Sequence, residues 1–411
     1  MNLLQHVQQL QFTNKVEAER LLLGFINEMF PMEVIRCELR PQVTSLNSFN
    51  GFIYLADGGR KFFKTHTEQD NIIDEYYNAG VLADAGYQVI QPIHSSTQAG
   101  QHLLIYEVID SPSVFEIAWQ LEHEENPTLL AGLTQAQHES DDDLFKIYQE
   151  TLAPQSADDA QQAPIHQLFY HRLVGGRLDR FYGEGVSITL VDKTYSMRQV
   201  RQMKWIINGR SYQQTLDELI AQATDVLRPD QAGLSVIGHG DAHNGNVFYD
   251  NNRLLYFDPA FAGRHHPLLD IVKPIFHNAF AMWMYYPDEK RATTAISFNP
   301  KDDVWVVDYD YDWHPVREMF LTSKFERTLK PLVNNLAERN QLPANWRIML
   351  KSGLFCCPFL TLNLADEKRF PPEISLLGLS MALEMGLESG RSNAGDRSRI
   401  DRLLDDVEQS L

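Results

Sequence analysis

Apolar residues at three- and four-residue spacing open the chain: Leu3, Leu4, Val7 and Leu10, then Leu21, Leu22, Leu23, Ile26 and Phe30. This spacing predicts one or two amphipathic helices over 1–30, stopped at Pro31, which cannot continue a helix. The pattern then turns extended. Strands are predicted over 34–43, 52–55 and 61–64, with Ala56-Asp57-Gly58-Gly59 as the turn between the last two. Two further apolar runs, 87–93 and 103–109, complete a predicted five-stranded antiparallel sheet. From Ser111 onward the pattern is helical. A strong helix is expected over 166–182, with Leu168, Phe169, Leu173 and Leu178 on its apolar face and Arg172, Arg177, Asp179 and Arg180 on a solvated one. Helices follow over 213–227 and 271–290, and from Arg317 to the end, broken at Pro343, Pro358 and Pro371-Pro372. Between them, residues 304–313 alternate in period two, so Asp308, Asp310 and Asp312 share one face of a strand. That face is either simply exposed or part of an acidic wall.

Composition narrows the class. The chain has 411 residues, 44% hydrophobic and 22% charged, which suits a soluble two-lobed enzyme or two to three domains. A formal net charge of -19 argues against a nucleic-acid partner, whose phosphates it would repel. The acidic, Gln-rich stretch 121–163 reads as an exposed insertion. Cys37, Cys356 and Cys357 are too few and too irregular for a disulfide framework, and the apolar setting of the adjacent pair predicts buried small hydrophobes. No signal sequence and no continuous membrane span is evident, so a cytoplasmic location is expected.

The candidate chemistry lies in Gly238-His239-Gly240-Asp241-Ala242-His243-Asn244-Gly245-Asn246, followed by Tyr256-Phe257-Asp258-Pro259. A carboxylate, an amide five positions on, and a second carboxylate after an apolar strand form an ordered set. Phosphoryl transfer needs such groups: one carboxylate to take a hydroxyl proton, and hard oxygen donors to hold magnesium on phosphates. The bland reading is an acidic turn between two strands. The adjacent His265 and His266 lack metal spacing, and a surface or substrate contact is expected of them.

The stretch resembles the catalytic loop of the aminoglycoside phosphotransferase and choline kinase-like family, in which His-Gly-Asp is followed four residues later by Asn, then by an apolar strand and Asp. The resemblance implies an α+β, protein kinase-like two-lobed fold, with an antiparallel-sheet N-lobe over 1–110 and a mostly helical C-lobe over 111–411. It implies ATP and Mg2+ as cofactors and a small-molecule hydroxyl as acceptor. Asp241 becomes the catalytic base, Asn246 and Asp258 the metal ligands, and His239 and the later Asp270 the supports of the loop. The strand-turn-strand after Thr44 becomes a nucleotide flap, with Ser45, Asn47 and Ser48 over the phosphates. Lys64 becomes the phosphate-binding lysine and Glu75 its helix partner, with Lys61 and Glu68 as rivals. Adenine would meet main-chain groups near Glu107 and Ile109, with Tyr106 behind it. Acidic segments at 122–143 and at Asp302, Asp303, Asp308, Asp310 and Asp312 favour an amine-bearing acceptor such as an amino sugar, aminoglycoside or amino alcohol. The alternatives are a protein kinase and a nucleotide-binding pseudokinase. Against the first, Gly240 stands where that loop has Arg, Pro259 where it has Phe, and no Ala-Pro-Glu follows.

Overall fold

The computed structural model describes residues 3–40, 48–66, 75–96, 100–390 and 397–411. Two helices, α1 (Leu3–Thr13) and α2 (Lys15–Met29), begin the chain, and the Asn14 side chain caps the second by accepting from the Glu17 amide. They cover one face of an antiparallel sheet built from β1 (Val34–Leu39), β2 (Ser48–Leu55), β3 (Arg60–His66), β4 (His94–Ser96) and β5 (Leu103–Glu107), in the order β1-β2-β3-β5-β4. The Asn27 side chain on α2 bonds both backbone groups of Val34, which fixes helix to sheet. Leu4, Val7, Leu22, Ile26, Ile53, Phe63 and Ile105 form the core between the layers.

The five strands match expectation in number and sense but not in every position. No strand forms over 87–93; that segment instead bridges to the other lobe, with Val89 beside Tyr256 and Tyr87 bonded to the Ile237 carbonyl. β4 starts only at His94. On β3, Lys61-Phe62-Phe63-Lys64 alternates poorly because both faces are covered. Phe63 points into the helix layer, while Phe62 packs on Phe257 of the other lobe.

After Glu107 the chain is mostly helical around one large core. The stretch 121–163 is not an exposed insertion. The 25-residue helix Pro127–Thr151 buries Leu133, Ala136, Leu144, Ile147 and Tyr148 against that core. Its acids are partly internal: Asp141 is fully buried between Lys324, Ser323 and Gln137. Glu122, at the end of the helix Val114–His123, is paired with Arg317 at 2.5 Å and Lys290 at 2.9 Å. The helix expected over 166–182 is broken at Gly175-Gly176, with Gly176 at φ +83°, into Tyr170–Val174 and Arg177–Tyr182.

A second sheet escaped the sequence pattern. The strand Val304–Tyr309, which was expected, pairs with Ile296–Pro300 on one edge and in parallel with Lys204–Ile207 on the other, and Arg210–Tyr212 closes the set. Its short strands alternate over too few residues to stand out from neighbouring helices. Among the described residues no helix is long and apolar enough to cross a membrane. All three cysteines are free and buried, as expected.

Candidate active site

The site grows from the strand Gly233–Gly238, held between Ala153–Gln155 and Gly263–His265. Two glycines let the chain leave this strand where it does. A Cβ at Gly238 would lie 2.4 Å from the Asp270 carboxyl carbon. Gly240 sits at φ +80°, and a Cβ there would lie 2.5 Å from the Phe261 carbonyl oxygen. The close approach at Gly238 admits Asp270, which accepts the Gly240 amide at 2.6 Å and the Tyr148 hydroxyl. Asp270 is 3% exposed and His239 is fully buried, its Nε2 at 3.0 Å from the Phe257 carbonyl. Both supports expected from the sequence thus lie inside the loop, and Asp241 projects from its rim.

Asn246 and Asp258 meet through a hairpin. The strands Val247–Asp250 and Arg253–Tyr256 pair, and the Phe257 amide donates to the Asn246 carbonyl at 2.9 Å. The Asn246 side chain donates from Nδ2 to the Asp241 carbonyl at 3.0 Å, which leaves its Oδ1 as the outward acceptor. Asp258 adopts φ +56°, rare for a non-glycine residue and common where function holds the backbone. Its Oδ1 accepts Lys64 Nζ at 2.6 Å, joining β3 to the catalytic segment across 194 residues of sequence. Lys61, the rival lysine, is instead engaged by the Glu107 carboxylate at 2.6 Å. Tyr106, Phe62, Phe248 and Phe257 pack edge to face or tilted into an aromatic cluster that spans both lobes, with Phe62 and Phe257 close in sequence to Lys64 and Asp258. Ser45, Asn47 and Glu68 lie outside the described residues, as do the side chains of Ser48 and Glu75.

The donor set suits a hard divalent cation. Among the described residues no cluster of three or more His, Cys, Asp or Glu could cage a metal. One carboxylate and one amide oxygen are what magnesium takes from protein when phosphates and water supply the rest.

The other side of Asp241 was not foreseen. Helix Val272–Ala279 carries Lys273 and His277 one turn apart, both 3% exposed. Lys273 Nζ lies 3.3 Å from Asp241 Oδ1 and 3.1 Å from His277 Nε2, and His277 Nδ1 lies 2.8 Å from the Tyr285 hydroxyl. Burial would raise the Asp241 carboxyl, but Lys273, with His243, Arg172 and His239 around it, holds it below the usual carboxylate range. Burial and the Lys273 charge push His277 well below the usual imidazole range. It is therefore neutral, accepting from Lys273 and donating to Tyr285. Arg172, expected on a solvated face, is half-buried on the short helix Tyr170–Val174 beside this group, and its Nη1 reaches Thr361 Oγ1 at 3.4 Å. A lysine at i and a histidine at i+4 in an otherwise apolar helix was the available signal, since a buried lysine needs a reason.

His265 is not a surface contact, whereas His266 is partly exposed and lines a cavity with His166 and Met349. His265 is fully buried with Nε2 at 3.1 Å from the Gly238 carbonyl, and His266 caps the helix Pro267–Asp270. Burial lowers His266 to about 4, so it is a neutral cap.

No protein-family model matches this sequence, and no curated protein matches it. Solved structures with a similar course include amicoumacin kinase hAmiN in complex with AMP-PNP, Ca2+ and Ami, at 14% identity and TM-score 0.47, covering 91% of this chain and 96% of that one. A thermostable mutant of aminoglycoside phosphotransferase APH(4)-Ia, apo form, is 12% identical with TM-score 0.48, covering 89% and 98%. Choline kinase from Cryptosporidium parvum Iowa II is 11% identical with TM-score 0.41, covering 95% and 97%. The functional reading below rests on this chain's own residues.

Proposed function

We propose that this protein is an ATP-dependent small-molecule kinase that transfers the γ-phosphoryl group to an acceptor hydroxyl. The observation that carries the reading is the convergence of Asp241, Asn246, Asp258 and Lys64, drawn from three separate segments into one cleft. Asp241 accepts the hydroxyl proton as the acceptor oxygen bonds to phosphorus and the bond to the leaving ADP oxygen breaks. Its lowered pKa keeps it ionised and ready at neutral pH. Lys64 holds phosphate oxygens, and Asp258 keeps it aimed into the cleft until nucleotide arrives. Asn246 Oδ1 and Asp258 would hold Mg2+, which supplies charge neutralisation on the phosphates. Main-chain groups near Glu107 and Ile109 would take adenine over Tyr106, and the flap with Ser45, Asn47 and Ser48 would cover the phosphates. Glu75 is the proposed helix partner of Lys64. Catalysis is then positioning plus electrostatics. A cytoplasmic location, where ATP is held, belongs to the same proposal.

A small acceptor suits the site better than a protein. Only residues 259–262 separate Asp258 from the strand Gly263–His265, which leaves no room for an activation loop between them. An amine-bearing acceptor has lost part of its support. Glu122 and Asp141 are buried in internal ion pairs, although Glu124, Glu125, Glu139, Asp142 and Asp143 of the same segment, and Asp308, Asp310 and Asp312, remain exposed.

The test is transfer from radiolabelled ATP with magnesium to metabolite and protein panels. Label in a metabolite supports the reading. Label only in protein, or nucleotide binding with no transfer to anything, refutes it.

A further inference from the structure

The charges that face Asp241 name the acceptor more closely. Lys273 and Arg172 lie beside it, with the His243 imidazole held below its usual range by burial, and the other nearby carboxylates are committed: Asp258 to Lys64, and Asp270 to the Gly240 amide. Lys273 is satisfied by Asp241 and His277. Arg172 is not satisfied. Its Nε is buried without a hydrogen-bond partner, its one bond is the long contact to Thr361, and among the described residues no carboxylate lies within ion-pair distance. The end of helix Trp346–Leu360 provides some compensation, but its carbonyl at Leu360 is taken by Arg177 at 3.2 Å. A helix end carries only about half a charge. Two guanidinium groups on it leave most of the positive charge uncompensated. Burying such a group without a counter-charge is costly. Burial does push Arg172 below its ordinary range, and the Asp241 charge only partly restores it.

Resting on the phosphotransferase reading, we infer that Arg172 is a specificity-determining residue that binds an anionic group, a carboxylate or phosphate, on the acceptor, so that the substrates are hydroxy acids or phosphorylated alcohols. The guanidinium geometry suits bidentate capture of such a group. The bound anion would supply the missing counter-charge and hold the neighbouring hydroxyl at Asp241. The same guanidinium could instead meet the transferred phosphoryl group, and the experiment separates the two.

Matched acceptors are compared as carboxylate, neutral and amine forms of one skeleton: glycerate, glycerol and 3-amino-1,2-propanediol; gluconate, glucitol and glucamine. The carboxylate members should show kcat/KM at least ~10-fold above their partners, in line with ~1.5–3 kcal/mol for a charge-assisted bond. Arg172→Gln should erase that preference by raising the acceptor KM and not the KM for ATP, and Arg172→Lys should restore part of it. A preference for neutral or amine members overturns the inference and leaves the kinase reading intact. So does a rise in the ATP KM, or an equal loss on every member, which would assign Arg172 to the phosphoryl group or to the fold. If no member of any charge is phosphorylated, both readings fall.

Discussion

The two sides of Asp241 are built differently. On the side proposed to take nucleotide, Asn246, Asp258 and Lys64 form an acidic, oxygen-rich group with one cation, and Asp258 is about a third exposed. On the other side, Lys273 and Arg172 bring positive charge beside the neutral His277, with one carboxylate, Asp241 itself; Lys273 and His277 are buried and Arg172 is half-buried. The first arrangement suits a metal bound to phosphates, and the second suits keeping a base ionised and receiving an anion. One carboxylate at the border serves both, so substitutions on the two sides should fail in different ways.

The largest effect is expected from Asp258→Ala. It removes the anionic metal ligand and the partner of Lys64, and transfer should fall by ~10³-fold or more, at the strong end for lost electrostatic stabilisation. Raised magnesium should not restore it. Near-normal turnover would remove Asp258 from the nucleotide side. Asp141→Ala probes the scaffold behind both sides. It leaves Lys324 buried without its partner and should cost about 3–5 kcal/mol in denaturant unfolding, with turnover per folded molecule intact. The exposed neighbour pair Asp142–Arg327 should be worth about 0–1 kcal/mol. Equal losses at the two sites would contradict the assignment of the acidic helix to the core.

Lys273→Met sharpens the cationic side. The lysine is what holds the Asp241 carboxyl down against burial. Activity needs the ionised base and is lost as pH falls through its folded pKa. Removing Lys273 lets burial raise that pKa, so the acid limb of the kcat/KM profile should move to higher pH. An unmoved limb would show that Lys273 does not set the state of Asp241. The smallest effect is expected from Asn246→Ala, a neutral ligand. A loss of about 10-fold, partly recovered at high magnesium, is the expectation, against no recovery for Asp258→Ala.

This contrast also explains what could be read in the chain. The proposed nucleotide side lies largely in one contiguous motif, so residue type and spacing were enough to single out Asp241, Asn246 and Asp258 as candidates, and the fold brings their segments together. Lys64 followed from its place at the end of a strand. The cationic side is assembled from residues 172, 241, 273, 277 and 285; apart from Lys273 and His277 one turn apart on a helix, no local pattern relates them. Arg172 was misplaced because one continuous helix was read over 166–182, where the chain forms a short turn over Pro164–Gln167 and two short helices, Tyr170–Val174 and Arg177–Tyr182. The acids at 122 and 141 were misplaced because composition counts charges and cannot show that Arg317 and Lys324 return from nearly 200 residues away to meet them. The five-stranded sheet was found by its period, and its fourth strand was mispositioned because an apolar run can also serve as a bridge between lobes.

The most direct test of the account is Asp241→Asn, with nucleotide binding and transfer measured on the same preparation. The amide keeps the shape and most hydrogen bonding but cannot accept a proton. The account predicts that Mg·ATP titrates with nearly unchanged affinity while kcat falls by at least ~10²-fold, the low end for losing a general base. Retained turnover, or loss of transfer only in step with loss of nucleotide binding, would contradict the claim that Asp241 is the base between two separable sides.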